Sequence, residues 1–195
     1  MMDKKERIVH AAIEVFQEKG IEKTKIADIV KLAGIAQGTY YLYFPSKLSV
    51  MPAIAEVMVE KLIARVHHEV NSEAIFVDRL KQLVDSIFLY TSEYREVLAL
   101  VYAGLASSEH IRQWETVYQP FYEWISHFLQ TAKEEGVVRS NLNIESTAKI
   151  LIGLVESAAE QIYLYDHTDE DKAKQQKEEV LTFLKCGLGY QPSAN

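Results

Sequence analysis

Gly34 and Pro45 limit what this chain can fold into more than any other pair of residues. Only Ile35 to Phe44 lie between them. A glycine releases a helix C-terminus into the left-handed conformation, and a proline inside a helix removes a hydrogen bond and clashes with the preceding turn. A helix in this interval is therefore confined to about Gln37–Tyr43. The helix before it begins at a Thr24 cap, keeps Ile26, Ile29, Val30 and Ala33 on one face, and ends at Gly34. Asp28 sits near the positive end of its dipole. The second helix carries an amide, a hydroxyl and phenols where an apolar stripe would otherwise run. Two short helices of this kind form a helix-turn-helix, which offers its second helix to the DNA major groove.

The residue types fit that chemistry. Gln37 can pair bidentately with adenine, and Thr39 offers a hydroxyl to a base edge or phosphate and a methyl to thymine. Gly38 permits close backbone approach. Tyr41 and Tyr43 can hydrogen-bond phosphates or lean on bases, and Lys47 can pair with a phosphate. Thr24 and Lys25, at a helix N-terminus, are placed to do the same. Ile35 and Phe44 are expected to be apolar pegs. The competing reading makes Tyr40, Tyr41 and Tyr43 core aromatics.

The rest of the chain reads as all-α, about nine helices in total, with no hairpin signal and no sustained period-2 alternation. The first helix, about Lys4–Lys19, opens on an Asp3/Glu6 capping box and closes at Gly20. A fourth runs from after Ser46 to about Val70, with Pro52 bending it or marking a restart. A fifth carries Val77, Leu80, Leu83, Val84, Ile87 and Phe88, and a sixth Val97, Leu98, Val101, Tyr102 and Leu105. A seventh carries Phe121, Trp124, Ile125, Phe128 and Leu129 and closes at Gly136. The eighth, about Ile144–Tyr165, is apolar on two faces, so one side of it asks for a partner. The ninth spans about Asp169–Leu188. The expected division is a DNA-binding domain at 1–47 and a helical body at 48–195, with the fourth helix, about 46–70, as the linker.

Net charge is −7, which at first opposes a nucleic-acid partner. Its distribution reverses that. Residues 1–50 hold eight Lys/Arg against six Asp/Glu, a net +2 that leaves −9 for the remainder. A mildly basic head on an acidic body suits DNA contact at one end. The lone Cys186 allows no intrachain disulfide, the N-terminus lacks a signal-peptide core, and no apolar run reaches membrane-spanning length. A cytoplasmic protein without membrane association is expected. The six histidines form no H-E-x-x-H or other metal spacing, and no G-x-S-x-G, P-loop or dinucleotide motif occurs. No metal, cofactor or catalytic residue is expected, and an enzyme or a helical adaptor that does not bind DNA is the weaker alternative.

The span Asp3–Lys47 resembles the DNA-binding domain of the tetracycline-repressor (TetR) family. Thr24, Ile26, Asp28, Ile29, Ala33, Gly34, Gly38, Thr39, Tyr41, Tyr43, Phe44, Ser46 and Lys47 match its pattern. Ala36 stands where the family often has serine, and Ala27 where many members place arginine. The resemblance implies a homodimer bound to a palindromic operator on double-stranded DNA, with recognition helices about 34–36 Å apart. It implies a regulator, either a repressor released by a small-molecule effector or an activator. Release would be a population shift transmitted through the fourth helix. Tyr94, Tyr102, Trp114, Tyr118, Phe121 and Tyr122 are then candidates for an effector pocket, against the alternative that they are plain core. The resemblance further implies that the last two helices pair with their mates, which makes Leu151, Val155, Ala158, Ile162, Leu181 and Leu184 candidate dimer residues.

Overall fold

A computed structural model describes residues 2–106, 114–165 and 170–191, apart from the side chains of 103–106 and 114. Its described residues are mostly helical, with no strand among them. Eight α-helices are seen among them: α1 (Lys4–Lys23), α2 (Ile26–Ala33), α3 (Gln37–Tyr43), α4 (Met51–Glu69), α5 (Phe76–Ala106), α6 (Trp114–Glu134), α7 (Ile144–Glu160) and α8 (Glu170–Leu188). A 3₁₀ turn, Leu48–Val50, precedes α4, and a π-helical segment, Gln161–Tyr165, extends α7.

Most boundaries follow local chemistry. Asp3 accepts from the Glu6 amide at 2.7 Å while Glu6 accepts from the Asp3 amide at 2.8 Å, the reciprocal capping box expected of these residues. Gly20 breaks the helical path with φ +75°, and one further turn carries the chain to Lys23. Pro52 falls in the first turn of α4, where its missing N–H costs no helical hydrogen bond, so it marks a restart rather than a bend. The expected fifth and sixth helices are one helix, α5. Tyr94 departs from helical geometry (φ −106°, ψ 15°), but no glycine or proline adjoins it, so the backbone bends without ending. The expected opening residue of the last helix, Asp169, and the side chains of Leu105 and Trp114 lie outside the described residues.

The chain divides into two compact units, Met1–Glu60 with Glu96–Val117, and Lys61–Arg95 with Tyr118–Asn195. In the first, α1 packs on α2 and α2 on α3 around Ile8, Ala12, Phe16, Ile29 and Tyr40, all fully buried. In the second, α7 packs on α8, and Leu80, Leu83, Phe121, Ile125, Leu129 and Val155 lie in the core. Within this unit Asp85 ties α5 to α8 by accepting from Lys177 at 2.9 Å, and Lys81 bonds the same carboxylate.

Gly34 closes α2 at φ +64°, and a Cβ there would sit 2.9 Å from the Arg7 guanidinium. Arg7, on α1, donates to the carbonyls of Ala33 and Gly34, two of the groups that α2 leaves unpaired at its end. Gly34→Ala is therefore expected to destabilise the first unit by about 1–2 kcal/mol, from left-handed strain and displacement of Arg7. Urea denaturation followed by circular dichroism measures this, and an unchanged midpoint would remove the glycine's structural role.

Candidate nucleic-acid interface

Helix α3 covers Gln37–Tyr43, the interval between the glycine and proline stops. One side faces in. Tyr40 is fully buried and its hydroxyl donates to the Ser46 carbonyl at 3.2 Å, while Phe44 is also buried and packs on the Tyr40 ring. Burial pushes the Tyr40 phenol up to about 12, so it remains a neutral donor. The other side is open. Gln37, Gly38, Tyr41, Leu42 and Tyr43 are exposed and Thr39 is half-buried. Leu42 is 82% exposed, an apolar surface that the sequence reading passed over. A Cβ on Gly38 would meet nothing within 4 Å, so this glycine is not required by the packing of the unit itself. Ala36, at the N-cap, makes no side-chain capping bond.

Two expected contact residues are turned to internal work. Thr24 does not cap α2. It is buried, and its hydroxyl donates to the Gly20 carbonyl at 2.7 Å while its amide donates to the same oxygen at 3.3 Å. The N-cap is Lys25, whose amide donates to Asp28 at 2.9 Å. That bond, with Lys19 donating to the same carboxylate at 2.9 Å, holds Asp28 below the usual carboxylate range. Thr24 thus offers no hydroxyl to a phosphate, because the turn out of α1 uses it. Lys47 reaches back to the Ile21 carbonyl at 2.6 Å and the Thr24 carbonyl at 3.0 Å, clamping the chain after α3 to the α1–α2 turn. Lys25 is exposed, as are Lys4, Lys5, Lys23 and Lys31.

This arrangement carries a family signature over both parts of the chain. Residues 8–54 match the model for bacterial regulatory proteins of the tetR family, and residues 80–188 match the tetracyclin repressor-like C-terminal domain. The chain belongs to the TetR family. It is 41% identical over 186 residues to the "Uncharacterized HTH-type transcriptional regulator YvdT" of Bacillus subtilis (strain 168), covering 95% of each chain. Its fold is shared with the fatty acid degradation regulator FadR from Bacillus halodurans (TM-score 0.76, 21% identity, 98% of this chain and 99% of that one). It is also shared with the transcriptional regulator FadR from Bacillus subtilis in complex with stearoyl-CoA (TM-score 0.73, 20% identity, 91% and 96%). The TetR-family chain is a helix-turn-helix, DNA-binding transcriptional regulator, and no described helix is long and apolar enough to cross a membrane.

The residues singled out in the body of this TetR-family chain are dispersed. Tyr118 and Phe121 are buried, Tyr94 and Tyr122 half-buried, and all four belong to the second unit; Tyr102 belongs to the first. The Tyr118 hydroxyl donates to Glu156 at 2.9 Å, a part-buried polar contact that aromatic spacing did not disclose. Of the candidate dimer residues, Leu151, Val155, Ala158, Ile162 and Leu184 are buried within their own chain, and Leu181 is half-buried. The first five are at most 6% exposed, because the stripe with the strongest helical period is the one the monomer core takes. The apolar groups that α7 and α8 leave open are Ile150 (66% exposed) and Phe183 (64% exposed).

Proposed function

We propose that this regulator represses transcription as a homodimer on a palindromic operator, and that a small molecule bound in the helical body releases it. The observation that carries the reading is the split of α3: Tyr40 and Phe44 anchor one side while Gln37, Tyr41 and Tyr43 stand free on the other. Gln37 and Thr39 read bases, Tyr41, Tyr43 and Lys25 meet phosphates, and Gly38 lets the backbone approach. Lys47 has a third N–H beyond the two carbonyls it holds, and that one is assigned to a phosphate. Thr24 positions the turn. Dimerisation through α7 and α8 rests on the exposure of Ile150 and Phe183. The effector part is supported by the likeness of this fold to a regulator that holds stearoyl-CoA. Release follows if the effector favours a head spacing that no longer matches successive major grooves, with α4, which runs from one unit into the other, as the connecting element.

The test is footprinting on DNA upstream of the chain's own coding region. One protected palindrome, lost steeply with salt, is expected; no binding at low salt would sink the reading. Gln37→Ala should cost about 1–3 kcal/mol at its cognate base and flatten the preference there. Equal affinity across operator variants both before and after the change would exclude Gln37 as a base reader.

A further inference from the structure

A cleft of about 470 Å³ opens in the second unit, lined by residues of α4, α5 and α6 and of the turns after α4 and α6, with neither Tyr118 nor Glu156 in the lining. Its floor is aromatic. Trp124 and Phe128 stack at 5.7 Å with an interplanar angle of 14°, and His67 meets Trp124 edge-on at 5.7 Å. Arg79 lies over the Phe128 ring, only 8% exposed. Its Nη2 donates to Glu135, while its Nε is buried with no hydrogen-bond partner among the described residues. A guanidinium with five N–H groups is thus tied to one carboxylate and left under-satisfied, which is costly unless something else takes up the remainder. His67 and His127 add ring nitrogens to the lining, and Glu135 is its one carboxylate.

We infer that this cleft binds a flat organic monocarboxylate, its carboxylate on Arg79 and its ring on the Trp124–Phe128 face. Nε is buried and Nη2 already holds Glu135, so the ligand's carboxylate is taken by the remaining Nη N–H groups of Arg79, and the stacked rings supply the apolar surface that orients a ligand. Glu135 already offsets part of the Arg79 charge, so the cleft suits one negative charge better than the nearly two of a phosphate monoester. Glu135 competes with the ligand for Arg79. This site goes beyond the operator reading, and its test uses no DNA, so either can fail alone.

The chain has two tryptophans, so Trp114→Phe leaves Trp124 as the sole indole reporter. Fluorescence titration of that otherwise intact chain with benzoate should saturate at about tenfold or more lower concentration than with benzamide or inorganic phosphate. Arg79→Gln should abolish the difference. Glu135→Gln, at a more exposed position, should tighten benzoate several-fold by freeing Arg79, an outcome that a merely structural ion pair does not produce. Equal response to benzoate and benzamide, no saturable response to benzoate, or unchanged or weaker benzoate binding in Glu135→Gln each overturns the inference.

Discussion

Stability is expected to fall as pH rises from about 4.5 to about 8, and Glu156→Gln should remove that part of the fall. Glu156 sits on α7 and accepts from Tyr118 at 2.9 Å. Although the residue keeps some exposed surface, its carboxyl is surrounded by protein, and burial pushes it from the usual 4.5 up to about 8. The Tyr118 bond pulls in the opposite direction, and the like charge of Glu160 adds to the rise. On α5, Tyr90 faces the same carboxyl, and its phenol is pushed far above its ordinary range, chiefly by burial. Arg65 and Glu93, which bond each other, act on Tyr90 with opposite signs. The sign follows from proton counting. Between the two values the folded chain holds a proton that the unfolded chain has released, so rising pH favours unfolding until Glu156 ionises in the folded state as well. The effect is on the order of 2–4 kcal/mol at pH 8 relative to pH 4.5. Urea denaturation of wild type and Glu156→Gln across that range measures it. Parallel pH profiles for the two proteins would show that the carboxyl is ionised throughout.

Lys47→Ala is expected to weaken both the head and its hold on DNA. The ammonium bonds the Ile21 and Thr24 carbonyls, and charged hydrogen bonds of this kind contribute about 1.5–3 kcal/mol together with the cost of leaving partners unpaired. The denaturation midpoint should therefore drop. If Lys47 also touches a phosphate, the slope of log affinity against log salt should fall by about one, because one fewer counterion is released. A lower midpoint with an unchanged salt slope assigns Lys47 to the fold alone. An unchanged midpoint contradicts the clamp.

The reading helix was legible because its limits are local. Gly34 and Pro45 act on their own neighbours, and α3 runs from Gln37 to Tyr43 as those stops require. The Asp3/Glu6 box and the break at Gly20 are local in the same way. The merger of two expected helices into α5 was not legible, since apolar stripes on either side of Tyr94 look the same whether or not the backbone stops there.

The sequence by itself determined an all-α chain, a helix-turn-helix at its start, membership of the TetR family, and a basic head on an acidic body. These rest on residue spacing, on neighbours within a few positions, and on summed charge. Tertiary structure alone decided what the polar side chains are used for. Arg7 caps a helix 26 residues away, Lys47 clamps a turn 26 residues back, and Tyr118 reaches a carboxyl group 38 residues on. It also decided that Leu151, Val155 and Leu184 fill the monomer's core while Ile150 and Phe183 remain outside. Periodicity reports which face of a helix is apolar, and only the packed chain reports what covers it.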